Sequence, residues 1–221
     1  MENVQIDRKE VLRYLGHRNQ AIGERLEGLV DECIAELKGT AAPKYICRTF
    51  CITSRDGSIL LEKGLFELPG KAILKHLSSS GSCILMAATL GCEVDRKIRY
   101  YEKIDLTRAL ILDACATAYI EAVCDRICED IKEDDLSEGE HLTFRFSPGY
   151  GDLPIEIQQR FLEVLDAGKR IGLTASSTNI LLPRKSVTAV MGITVENCGG
   201  SKSGCTVCSK SKECTYYRME D

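Results

Sequence analysis

Apolar residues recur at helical spacing over the centre of the chain: Leu110, Ala114, Thr117, Ile120, Val123 and Ile127 lie on one stripe, with Asp105 placed to cap its start. This predicts a long helix from Leu106 to about Ile131, and the other segments must pack around it. Shorter helical patterns precede it. Asp7 and Glu10 have capping-box spacing ahead of Val11, Leu12 and Leu15. Ile22, Leu26, Leu29, Val30, Cys33, Ile34 and Leu37 form a second amphipathic run, with Gly39 as its expected stop.

Strand signals alternate irregularly with these helices. Tyr45 to Thr53 is rich in β-formers, and Asp56-Gly57 supplies turn chemistry before Ile59-Leu60-Leu61, so a hairpin is expected. Leu68-Pro69-Gly70 breaks the chain ahead of a short helix around Ala72 to Leu77, which Ser78-Ser79-Ser80-Gly81 ends. Cys83 to Thr89 fits a buried strand, Leu142 to Phe146 a weaker one and Ser186 to Val195 a last one. Pro154 belongs near the first turn of a helix whose apolar face is Ile157, Phe161, Val164 and Leu165. No regular βαβ alternation and no internal repeat is visible. The expected class is α+β, with mixed helices on a twisted, largely antiparallel sheet.

Composition excludes several functions. The 221 residues suit one large domain with a small appendage, here 1–196 and a cysteine-rich tail, 197–221. Net charge is −4 with Lys and Arg dispersed, and there is no Trp, so neither a basic nucleic-acid face nor a base-stacking platform is expected. The polar start and the lack of a run near ~20 apolar residues argue for a soluble, cytoplasmic protein with no membrane partner. Glu129 to Glu140 holds seven acidic residues and one Lys, read as a solvated helix end and loop.

The twelve cysteines divide by neighbourhood. Cys33, Cys83, Cys115, Cys124 and Cys128 sit in apolar-periodic segments and read as small core hydrophobes. Cys198, Cys205, Cys208 and Cys214 lie among Gly, Ser and Lys, where no core explains them. A Cys-x2-Cys pair with two further thiols can complete a tetrahedral shell, for zinc or an iron–sulfur cluster. Reduced thiols or a disulfide pair are the alternatives. Lys202, Lys210 and Lys212 would offset thiolate charge.

The segment Arg145-Phe146-Ser147-Pro148-Gly149-Tyr150-Gly151 follows a strand-like run. A Pro-Gly turn at a strand end lets backbone approach a ligand, Arg145 offers a planar fork to a carboxylate, and Tyr150 offers an aromatic face. Alone, such turns are common. Taken in order with Leu173-Thr174-Ala175-Ser176-Ser177, Pro183 and Ser186-Val187-Thr188, it resembles the activation domain of cobalamin-dependent methionine synthase, in a short free-standing form. Val11-Leu12-Arg13-Tyr14-Leu15-Gly16, Ala88-Thr89-Leu90-Gly91, Val94 to Ile98 and Leu112-Asp113-Ala114 extend the resemblance over roughly residues 5 to 195.

The resemblance implies that the loop cradles S-adenosylmethionine, with Arg145 meeting its carboxylate and Pro148, Gly149 and Tyr150 beside it. It implies an acidic side chain of the long helix near the cofactor's positive end. Asp113 is the match, with Glu121 as the family's later glutamate and a plain helix-surface charge as the other reading of Asp113. It further implies reductive reactivation of a partner: a cobalamin-binding methionine synthase or related corrinoid protein, an electron donor, and a methyl group presented to cob(I)alamin. The chain would be a methyltransferase subunit acting only with that partner. Such chemistry needs positioning more than acid–base groups. That agrees with scattered His17, His76 and His141, read as structural or exposed, and with the absence of the usual Rossmann methyltransferase Gly-x-Gly loop. The family's Trp-containing acidic segment is replaced by Asp7 in a charged setting, and its aromatics after the Ser-Val-Thr element by Ala189 to Gly192. Two other readings stay open: a non-catalytic module binding S-adenosylmethionine or a corrinoid protein, and a metal or redox protein acting through the tail.

Overall fold

The computed structural model describes residues 4–17, 22–54 and 56–195. Seven helices carry the labels α1 (Arg8–Tyr14), α2 (Glu24–Thr40), α3 (Lys71–His76), α4 (Cys92–Ile104), α5 (Leu106–Asp134), α6 (Gln158–Val164) and α7 (Ala167–Ile171). The strands are β1 (Lys44–Ser54), β2 (Ser58–Leu61), β3 (Phe66–Pro69), β4 (Ser82–Thr89), β5 (His141–Leu142), β6 (Thr174–Ala175), β7 (Leu181–Leu182) and β8 (Ser186–Thr194). Six form one sheet in the order β3-β2-β1-β4-β8-β5, every pair antiparallel, and β6 and β7 form a small hairpin. The class is α+β, as the sequence implies.

The sheet lies between two layers. Pleating sends Ile84, Met86 and Ala88 of β4 to one face and Cys83, Leu85 and Ala87 to the other, and all six are essentially inaccessible. The first face packs on α1, α2, α4 and α5; the second on α3, α6 and α7, with Ile59, Leu61, Phe66 and Leu68 of β2 and β3 in the same cluster. Burial on both faces is why β4 reads as an unbroken apolar run.

Helix α5 spans 29 residues, about 43 Å, and runs beneath the sheet. Asp105 caps it by accepting from Arg108 N–H at 3.0 Å. Arg108 joins the helical layer by pairing with Glu36 (3.0 Å) and Glu32 (2.9 Å) of α2. Lys97 of α4 reaches Glu36 at 2.9 Å. Burial pushes the thiol of Cys33 up to about 11 and those of Cys83 and Cys115 to about 12, so they remain protonated core groups.

Several boundaries differ from expectation. Leu110 is 59% exposed, because the buried stripe at that end of α5 passes through Ile111 and Leu112. Gly39 does not stop α2, which continues to Thr40 before Pro43. Asp7 caps α1 through Lys9 N–H at 2.7 Å, while Glu10 pairs with Arg13 at 2.7 Å. The strand expected over Leu142 to Phe146 is interrupted, and the interruption shapes the candidate site.

Candidate functional site

Segment 141–146 runs antiparallel along β8 with one extra residue in it. His141 faces Thr194, Leu142 faces Ile193, and Phe146 faces Val190, so four steps on one strand oppose three on the other. This is a β-bulge. Thr143 meets His76, and Phe144 packs in the α3-side core, so consecutive residues point to one face. The next side chain, Arg145, is thereby turned toward α5. In an unbroken strand Arg145 would point to the α3 side, since a one-residue slip reverses every face.

Arg145 enters a prepared acidic setting. One terminal nitrogen donates to Glu121 at 2.8 Å and the other to Asp125 at 2.7 Å. The two acids sit one turn apart on α5. The Arg145 side chain is 20% exposed, and those of Glu121 and Asp125 are 41% and 52% exposed. Cys128, one turn further on, lies 3.9 Å from the guanidinium. Tyr14 of α1 borders the group: burial, then the charge of Glu121, hold its phenol above the ordinary range.

The loop after Phe146 closes on itself. Tyr150 N–H donates to Ser147 O (3.0 Å), Leu153 N–H to Tyr150 O (3.0 Å) and Gly149 N–H to Leu153 O (2.9 Å). Gly149 has φ +93° and Gly151 φ +55°. A Cβ on Gly151 would stand 2.8 Å from that of Ala72, so this turn requires glycine both for conformation and for its approach to α3. Asp152 fastens the loop by accepting from Lys71 N–H (2.7 Å) and Ala72 N–H (2.9 Å) at the start of α3. Those two donors hold its carboxyl below the usual range. Pro148 is buried, Gly149 is exposed, and the Tyr150 ring, 51% exposed, stands edge-on to Phe146 at 5.9 Å.

The geometry brings Arg145, Pro148, Gly149 and Tyr150 into one short structure. Asp113 is elsewhere. It pairs with Lys185 at 2.9 Å, and Lys185 also donates to Thr117 at 2.8 Å. Asp113 precedes Glu121 by eight residues, about 12 Å along the helix. The carboxylates beside Arg145 are therefore Glu121 and Asp125. Sequence reasoning singled out Glu121 only through the resemblance and passed over Asp125 and Asp152. The i,i+4 spacing of Glu121 and Asp125 is visible in the sequence, but the bulge that aims Arg145 at them is not.

Cys198, Cys205, Cys208 and Cys214 lie outside the described residues. Among the described residues, no group of three or more His, Cys, Asp or Glu side chains is placed to share a metal ion. Among them, too, no helix is long and apolar enough to cross a membrane.

A six-stranded antiparallel sheet covered by helices on both faces, with a glycine loop at the end of a bulged edge strand, defines an α+β architecture. Among solved structures, the chain is similar to the crystal structure of the MetH reactivation domain bound to AdoHcy. The TM-score is 0.60 over 79% of this chain and 67% of that one, at 15% identity. The chain thus has the fold of that activation domain. No protein-family model matches the chain. No curated protein matches it either.

Proposed function

We propose that the chain binds S-adenosylmethionine and serves in the reductive reactivation of a cobalamin-dependent methionine synthase or related corrinoid protein. The observation that carries the reading is Arg145, paired with two carboxylates of α5 at the start of a glycine turn that Asp152 fastens to α3, on a fold whose solved counterpart is bound to AdoHcy. The residues present fit an amino-acid-bearing nucleoside. A guanidinium has five N–H donors, so contacts to Glu121 and Asp125 leave room for a ligand carboxylate. Glu121 and Asp125 suit an ammonium or a sulfonium, and the exposed Tyr150 ring suits an apolar or aromatic part. When bound, S-adenosylmethionine supplies an electrophilic methyl group. The chain's part is to fix the ligand's charged end and present the remainder to the partner. Asp113 is a weaker candidate for the cationic end, because Lys185 already neutralises it.

Calorimetry on the full chain tests the assignment. S-adenosylmethionine should bind, and Arg145→Ala should weaken it by about 2–3 kcal/mol, the value of a charge-assisted hydrogen-bonded contact. Equal affinity for parent and variant would remove Arg145 from the site.

The finer parts of the reading are that residues 1–196 form the binding domain and that the tail, 197–221, holds a thiophilic metal. The spacing Cys198-x6-Cys205-x2-Cys208-x5-Cys214 supports the latter. An iron–sulfur cluster there would place a redox centre on the protein whose partner needs an electron; zinc would make the tail structural.

A further inference from the structure

The acidic group around Arg145 carries more negative charge than the arginine balances. Arg145 brings one positive charge against one negative charge each from Glu121 and Asp125. Among the described residues, Lys132 of α5 reaches the neighbouring Cys128 thiol through its charge. Arg13 of α1 is matched by Glu10 at 2.7 Å, and Lys185 is matched by Asp113 two helical turns away. Among the three side chains in direct contact one negative charge is left over, with the guanidinium largely covered and both carboxylates half-exposed.

Resting on the function proposed above, we propose that this surplus charge selects the methylated ligand over its demethylated product, with Asp125 as a specificity-determining residue. At neutral pH S-adenosylmethionine carries a carboxylate, an ammonium and a sulfonium, a net charge of +1. S-adenosylhomocysteine lacks the sulfonium and is net neutral. The ligand carboxylate shares the Arg145 guanidinium with Glu121 and Asp125, so one positive charge then serves three anions. The two acids then need two cations. S-adenosylmethionine supplies both, and S-adenosylhomocysteine supplies one, leaving a carboxylate unmatched. The same arrangement favours product release, because the sulfur is neutral once the methyl group has gone.

The test is calorimetry on the full chain with S-adenosylmethionine and S-adenosylhomocysteine as the two probes, at low and at moderate salt. The parent should prefer S-adenosylmethionine, and the preference should shrink as salt rises. Asp125→Asn should cut the ratio of the two affinities roughly three- to tenfold, the effect of one partly solvated unit charge. It should do so mainly by weakening S-adenosylmethionine. Glu121→Gln should act in the same direction, and thermal melts identify any variant that fails to fold. If S-adenosylmethionine binds but the ratio is the same in the parent and both folded variants, the selection is overturned and the proposed function stands. If neither probe binds the parent, the proposed function itself falls.

Discussion

Arg145 shows how much one residue's role depends on what surrounds it. Its chemistry is legible from its type, but its direction is set by the extra residue between Leu142 and Phe146. His76 is the counterpart on the opposite face of that strand. Its ring meets the Thr143 hydroxyl at 3.0 Å and packs on Phe144 at 4.4 Å and Phe146 at 5.0 Å. Burial pushes it down to about 4. In the unfolded chain it would titrate near 6.5. A group lowered on folding stabilises above the unfolded value and loses that contribution as pH falls toward the folded one. The fold should therefore lose up to about 3 kcal/mol through His76 between pH 6.5 and pH 4. Urea midpoints at pH 7 and pH 5 measure this. His76→Gln should be less stable at pH 7 and show a shallower drop. An unchanged slope would mean that His76 is not the group titrating.

At the scale of elements, sequence legibility followed the strength of periodicity. The long helix α5, the β1–β2 hairpin and the buried strand β4 are all visible in the residue pattern, because each buries a regular face. The polar face of α4 hid that helix: Glu93, Arg96 and Arg99 interleave with the buried Val94 and Ile98. β6 and β7, two residues each, are too short for any period. The interrupted strand before Arg145 is a different case. Alternation over His141 to Phe146 fails because a bulge breaks it, so the feature that weakens the sequence signal is the one that turns Arg145 toward Glu121 and Asp125. The loop itself was legible through Pro148, Gly149 and Tyr150. Its anchor, Asp152 on the first turn of α3, depends on a contact 80 residues away in sequence, which no local pattern encodes.

At the scale of the whole molecule, an α+β body is followed by a tail of different composition. Four thiols at metal-ligand spacing predict that protein prepared without oxygen contains close to one zinc, or an iron–sulfur cluster with visible absorbance. Elemental analysis decides which. Cys208→Ser should release the metal while the far-ultraviolet spectrum of the body is unchanged, because a hydroxyl replaces a thiolate poorly. Metal-free protein from an anaerobic preparation would remove the tail from the account.

The proposed transfer of a methyl group from S-adenosylmethionine to a protein-bound corrinoid is open to one direct measurement. The full chain is mixed with S-adenosylmethionine, a reductant and a cobalamin-dependent methionine synthase that lacks its own activation domain, set in the cob(II)alamin state. The cobalamin spectrum is then followed. The account predicts methylcobalamin, formed only when chain, partner and S-adenosylmethionine are all present and lost with Arg145→Ala. A cob(II)alamin spectrum that does not change in the complete mixture, with S-adenosylmethionine shown to be bound, would contradict it.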